Sequence, residues 1–366
     1  MDERYRPSPG TPVEELDTPC LILDMDALEN NMRVMADYYR DRPCKLRPHI
    51  KNHKSPIIAH MQIRMGGTVG GVCAAKVSEA EVMVEGGIQN VFITNQIVTR
   101  DKIARLCALA RQAEMIVACD DPRNARDLSE GAQAAGATLG VIIEVETGLR
   151  RCGVQSPRQG VELARLIQTL PGLRFRGVMS HQVIGGTPDR ETRFTEGRRM
   201  VQTCLDARDA IEAAGIPVEI VSSGETWTYD VAGEIPGVTE VQGGTYILMD
   251  TSYRYMTDFK YAGKVLGTVI STPRPGLAIG DAGLEAVGNL RGLPTVEGAP
   301  GVTVKALDAQ HTIMQLEGDS RLSIGDKFAL IPAQQDAMVS RWDRFIAVRR
   351  GVVEAVWDIP GRGRHN

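Results

Sequence analysis

Six side chains that can carry or pass a proton crowd into ten positions of this 366-residue chain: Lys45-Leu46-Arg47-Pro48-His49-Ile50-Lys51-Asn52-His53-Lys54. Lys45, Arg47, His49 and Lys51 share one parity, so on an extended strand they project to the same side. A lysine held among other cations has its ammonium form disfavoured, and the free amine is the better nucleophile. That is the chemistry of a Schiff-base lysine. A solvated basic loop would show the same composition. What argues against that reading is the periodic, glycine-punctuated sequence that follows.

The elements that must position these residues are legible in the alternation of the chain. Short apolar runs at 45–49, 68–73, 90–93, 115–119, 139–144, 174–180, 217–221 and 239–241 are separated by amphipathic stretches such as 78–85, 102–112, 157–168 and 189–214. Eight strands alternating with helices predict a parallel sheet closed as a (β/α)8 barrel over residues 20–262. An open doubly wound sheet is the competing arrangement, but no GxGxxG follows the first strand. Beyond 262 the runs 265–272, 303–306, 312–316, 327–331, 344–348 and 351–356 are short, β-branched and broken by Gly, Pro and Asp. They predict an antiparallel β domain over 263–366, with the proline-rich residues 1–19 packing on it. His49 and Lys51, Glu146 and Arg151, His181, the turn 222–228 and the turn 242–246 all fall just after predicted strands. In a barrel that is one face, the face on which active sites are built.

Composition narrows the function classes. The chain is 43% hydrophobic and 24% charged with a net charge of −4, and it has no basic stripe with interleaved aromatics, so no nucleic-acid partner is expected. No apolar run is long enough to span a membrane, and the charged N-terminus lacks the apolar core of a signal peptide. Seven dispersed cysteines without a CxxC fit a reducing cytoplasm.

The run Leu46-Arg47-Pro48-His49-Ile50-Lys51-Asn52-His53-Lys54 is similar to the RPHxKxHK motif of the D-threonine aldolase / D-serine dehydratase family, which includes 3-hydroxy-D-aspartate aldolases. These are fold-type III pyridoxal-phosphate (PLP) enzymes with an alanine-racemase-like barrel. The resemblance covers nearly the whole chain. It makes Lys51 the lysine that binds PLP. In Glu144-Val145-Glu146-Thr147-Gly148-Leu149-Arg150-Arg151-Cys152-Gly153-Val154 it resembles the family's D-x-G-x-x-R-x-G-V and assigns Arg151 to the phenolic oxygen of PLP, where a guanidinium stabilises a phenolate. Ser222-Ser223-Gly224-Glu225-Thr226-Trp227-Thr228 and Gln242-Gly243-Gly244-Thr245-Tyr246 occupy the last two βα turns, where barrels commonly bind phosphate. There Ser223, Thr226, Thr228 and Thr245 offer hydroxyls, Gly243 and Gly244 permit close approach, and Tyr246 completes the turn. Trp227 stands where the family usually carries glycine. Gln242 aligns with an arginine of alanine racemases that faces the pyridine nitrogen, and a neutral amide there makes the ring a weaker electron sink. His181 matches a histidine or tyrosine position near the ring.

The last motif departs from the family. A P-x-H-x-(D/C) metal pair is expected in the C-terminal domain, and this chain has Pro332-Ala333-Gln334-Gln335-Asp336. Gln334 and Asp336 are hard oxygen donors, suited to Mg²⁺ or Mn²⁺ and poor for Zn²⁺, so either the metal has shifted towards hard ions or the site is lost and Asp336 is an ordinary residue. His311 matches a family histidine near this region and is a candidate acid/base. The resemblance thus implies metal-assisted retro-aldol cleavage of a D-3-hydroxy amino acid, such as D-threonine or 3-hydroxy-D-aspartate, by a cytoplasmic homodimer. Dehydration of D-serine or D-3-hydroxyaspartate would use the same residues. A racemase would need a second base, for which no clear tyrosine motif is present. A non-enzymatic PLP carrier would end after the barrel.

Overall fold

A computed structural model of the protein describes residues 5–366. Residues 1–4, the start of the charged N-terminus that argued against a signal peptide, lie outside the described residues. By packing, the chain forms two units, one of Arg33–Lys51, Ser55–Gly244 and Arg364–Asn366, the other of Met1–Met32, Asn52–Lys54 and Thr245–Gly363. Among the described residues no helix is long and apolar enough to cross a membrane.

Strand β1 (Cys20–Asp24) is the first strand among the described residues and belongs to the second unit. The next eight build the first unit: β2 (Lys45–Leu46), β3 (Val72–Ala74), β4 (Asn90–Gln96), β5 (Glu114–Cys119), β6 (Leu139–Glu144), β7 (Leu173–Ser180), β8 (Ile220–Ser223) and β9 (Glu240–Val241). They hydrogen-bond in the order β2-β9-β8-β7-β6-β5-β4-β3, every pairing parallel. The seam between β2 and β3 is bridged in parallel at Leu46 with Thr68 and His49 with Cys73, and the Ile50 N–H donates to the Cys73 carbonyl. The eight predicted strands are therefore all present and joined in a ring. Side chains from successive strands (Cys73, Phe92, Ile116, Ala118, Ile142, Met179 and Ile220) form one buried cluster that fills it.

The crossover helices begin where their caps dictate. Asp121 accepts from the backbone of Arg123 and Asn124 ahead of the helix Pro122–Ala135, and Ser156 accepts from Gln159 ahead of Pro157–Thr169, each with proline in the first turn. Asp189 caps the long helix Arg190–Ala213 through the Thr192 N–H. Gly177 in β7 has φ +149, and a Cβ there would sit 1.9 Å from the Ile220 carbonyl oxygen, so β7 and β8 approach closely only because that residue is glycine.

The second unit holds β10 (Gly263–Arg274), β11 (Leu277–Gly280), β12 (Thr295–Val296), β13 (Val302–Leu307), β14 (Thr312–Leu316), β15 (Lys327–Ile331), β16 (Arg344–Arg349) and β17 (Val352–Asp358). With β1 they make a nine-stranded sheet whose main path runs β13-β14-β11-β10-β1-β16-β17. It is antiparallel except where β1 runs parallel to β16. Leu16, Cys20, Ile22, Leu266, Ile346, Val348 and Val353 bury its core, and the Gly10 and Val13 N–H groups bond the Val353 and Gly351 carbonyls, so the N-terminal segment packs on this sheet.

Candidate active site

The C-terminal ends of the barrel strands bring together Lys51, His49, Glu144, Arg151, His181, Glu225 and Gln242. His49 is buried just below Lys51. Its Nδ1 accepts the Lys51 backbone N–H at 3.3 Å and its Nε2 lies 3.3 Å from Thr94 Oγ1, so both ring nitrogens are engaged. The repulsion among like charges expected from the sequence is not what this strand builds. Arg47 is buried and forms two 2.8 Å bonds to the Glu240 carboxylate. The Lys45 ammonium donates to the carbonyls of Tyr39 and Arg40. Lys51 in turn favours the ionised form of the Glu225 carboxyl.

Glu225 closes the turn after β8. One of its oxygens lies 3.0 Å from His181 Nδ1 and accepts the Gln182 N–H at 2.6 Å. Its side chain also caps the short helix Thr226–Thr228, while the Thr228 hydroxyl accepts the Glu225 N–H at 2.8 Å. Burial pushes the Glu225 carboxyl up, but His181, its hydrogen bond and Lys51 outweigh burial and hold it below the usual carboxylate range. Gln182, fully buried, ties this turn to the end of β7: its amide donates to Ser223 Oγ at 2.9 Å and accepts from Thr228 Oγ1 at 3.2 Å. Ser223 Oγ also lies 2.8 Å from Ser180 Oγ, and Gln242 Nε2 donates to Ser222 Oγ at 2.8 Å. Trp227 is wholly buried and packs towards Gly197 of Arg190–Ala213, where a Cβ would stand 2.9 Å from the Thr228 methyl. A small residue on the helix thus makes room for the indole-bearing turn.

Arg151 is half exposed, with its guanidinium 3.6 Å from Glu144, which is buried at the end of β6. Burial pushes the Glu144 carboxyl above its ordinary range, and the Gln96 amide and Arg151 only partly counter it. Glu144, Gln182 and Glu225 were not singled out from sequence. Glu225 lay inside a quoted motif, but its contact with His181 depends on the neighbouring strand.

In the second unit, Asp336 Oδ1 accepts from Asn52 Nδ2 at 2.6 Å, and Asp250 Oδ2 accepts the Gln335 N–H. Burial, with the nearby charge of Asp336 adding to it, pushes the Asp250 carboxyl up to about 6 against hydrogen bonds from Ser252 and Gln335. Thr245 and Tyr246 begin the last stretch of this unit in a short helical turn, with Tyr246 buried against Phe259. His311 stands exposed at the turn between β13 and β14.

The donor set fits PLP. Lys51 supplies the amine, the turn 222–228 supplies hydroxyls, and the buried indole Nε1–H of Trp227 in that turn has no partner among the described residues. The amide oxygen of Gln334 is buried without a partner among the described residues, while Asp336 Oδ1 is engaged by Asn52. Among the described residues no cluster of three His, Cys, Asp or Glu is placed to hold a metal, so such a site would lean on amide oxygens.

A parallel barrel with a lysine after its first strand, joined to a β unit, defines the alanine-racemase-like class of PLP enzymes. Residues 23–252 match the family Alanine racemase, N-terminal domain, and residues 262–348 match Putative serine dehydratase domain. The chain is 36% identical to 3-hydroxy-D-aspartate aldolase of Paracoccus denitrificans (strain Pd 1222), over 97% of this chain and 95% of the relative. It is 28% identical to D-threo-3-hydroxyaspartate dehydratase of Delftia sp. (strain HT23), over 86% and 88%. The crystal structure of D-threonine aldolase from Filomicrobium marinum superposes with a TM-score of 0.91 at 35% identity, covering 98% of this chain and all of that one. The chain belongs to the D-threonine aldolase / D-serine dehydratase family of fold-type III PLP enzymes.

Proposed function

We propose that the protein is a PLP-dependent carbon–carbon lyase that cleaves a D-3-hydroxy amino acid, such as D-threonine or 3-hydroxy-D-aspartate, to glycine and an aldehyde or glyoxylate. The observation that carries this reading is Lys51 at the barrel mouth with the Glu225–His181 pair beside it. Bound there, PLP supplies the sink for the electron pair of the breaking Cα–Cβ bond. Lys51 would hold its aldehyde end, the 222–228 turn with Gly243, Gly244, Thr245 and Tyr246 its phosphate, Arg151 its phenolic oxygen, and Gln242 its ring nitrogen. His49 fixes the Lys51 backbone from below. His181 Nε2 takes the proton that leaves the β-hydroxyl in this reading, a role for which His311 is the other candidate from the sequence.

Gln334 and Asp336 would hold Mg²⁺ or Mn²⁺, which acidifies a hydroxyl. Chelation is expected to remove activity, Mg²⁺ or Mn²⁺ to restore it better than Zn²⁺, and Asp336→Ala to mimic the chelated enzyme. Full activity after chelation, with Asp336→Ala also active, would remove the metal from the reading. The working form is a cytoplasmic homodimer in this reading, and sedimentation of the purified protein tests the dimer.

The deciding experiment is product analysis on a panel of D-3-hydroxy amino acids. Glycine with an aldehyde supports the lyase, whereas ammonia with an oxo acid would make the protein a dehydratase.

A further inference from the structure

Within the proposed lyase reading, on which this inference rests, His181 has a role but no stated reason for presenting Nε2. We propose that Glu225 is the positioning residue that fixes the proton of His181 on Nδ1 and so leaves Nε2 as the base. The contact is 3.0 Å from Glu225 Oε1 to His181 Nδ1, and both side chains are mostly covered, with 12% and 18% of their surface exposed. A carboxylate can only accept, so the imidazole nitrogen facing it must carry the hydrogen.

The carboxylate is itself held from both sides of the turn. The Gln182 N–H donates to the same oxygen at 2.6 Å, and the backbone of Thr228 is capped by the side chain. Arg193 fixes the far end of the turn, donating to the Trp227 carbonyl at 2.9 Å and pairing through both terminal nitrogens with Asp230. Glu225 therefore has one orientation, and it is aimed at His181. Such a partner does for a histidine what an orienting carboxylate does in a nucleophile–base–acid triad. The charged groups facing this pair are Lys51 from the end of β2 and Glu144 from the end of β6, with Arg151 and Asp120 beyond Glu144.

The direct test is ¹⁵N NMR of histidine-labelled holoenzyme, His181 being identified among the six histidines by its loss in His181→Asn. The expected neutral ring has its proton on Nδ1. A neutral ring protonated on Nε2 would overturn the proposal. The second test is Glu225→Gln, which keeps one oxygen for Gln182 and His181 and removes the charge together with the second acceptor oxygen. Its kcat is expected to fall by about tenfold or more with KM within about twofold, and the acid limb of the pH–rate profile to move to lower pH. Glu225→Asp, which restores the charge, should recover the limb and part of kcat. It also keeps the test decisive if the glutamine variant folds poorly. Wild-type kcat and limb in Glu225→Gln would reduce Glu225 to a turn cap. Each readout works whether the product is glycine or ammonia, so a failure here is distinct from a failure of the lyase reading.

Discussion

The two ends of the barrel use the same residue types to opposite effect. At the N-terminal end a ladder of charges runs across the strands: Glu240 to Arg47, Arg47 to Asn90, Asn90 to Glu114, Glu114 to Arg176 and Arg176 to Glu219. Every charge there has a close partner, and the Arg47–Glu240 pair is only 3% and 4% exposed. At the C-terminal end Glu144 meets its arginine at 3.6 Å and Glu225 faces a histidine and a lysine. Two glutamates of adjacent strands record the difference. Burial pushes up on Glu114 too, but bonds from Arg176 and Asn90 outweigh it and leave that carboxyl below its ordinary range, whereas Glu144 stays above. One end is neutralised and locked, the other is left with charges that a ligand can complete.

Substitutions at each end test whether the two ends divide stability from chemistry in this way. Lys51→Ala should abolish turnover and the borohydride-reducible cofactor adduct while shifting the melting temperature by no more than about 2 °C, because it empties no core. Lys54→Ala should keep the adduct, and mapping it to Lys54 or Lys45 would break the assignment. At the other end Arg47→Ala strands a buried carboxylate and should cost about 3–5 kcal/mol in denaturant unfolding, with kcat per folded molecule retained. Pairing Arg47→Met with Glu240→Leu should recover most of that loss. A loss of kcat in that double variant would show that the ends are coupled.

Arg151→Ala should weaken PLP retention and turnover by about 1.5–3 kcal/mol, the worth of a charge-assisted hydrogen bond, and Arg150→Ala should do far less. The smallest effect is at Glu144. Its folded carboxyl lies above the unfolded range, so its contribution to stability is present at low pH and is lost as pH rises through the folded value. Glu144→Gln should therefore melt slightly above the wild type at neutral pH, and the gap should close as pH falls towards about 4. A gap that widens on acidification would mean that Arg151 holds the carboxylate more strongly than burial opposes it.

How much of this was legible depended on how far apart in sequence the partners lie. The barrel strands could be read because each carries its own apolar run between helical periods. The strand Leu277–Gly280, short and ending in glycine, and the two-residue Thr295–Val296 have no such local signal. Cys20–Asp24 is apolar enough to be a strand, yet nothing in its vicinity says that its neighbours start at Gly263 and Arg344. The basic decapeptide reads as one extended strand of like charges, whereas only Lys45–Leu46 form strand and its cations find partners elsewhere. The glutamate that neutralises Arg47 is 193 residues away. The same distance problem hid Glu225 as the partner of His181, although both residues stand in strand-end segments that the sequence pointed to.

The position of β1 has a consequence for how the chain is made. Its antiparallel neighbour is complete by Arg274, but its parallel neighbour ends only at Arg349, so the strand emerges first from the ribosome and is flanked last. During synthesis of more than three hundred residues, Cys20, Leu21, Ile22 and Leu23 have at least one open edge. Such an edge invites pairing with other chains, and contacts of this sequence separation close slowly. A truncation just before Arg344 would leave that edge open for good, and a nascent chain stalled there should be found in aggregates or on a chaperone.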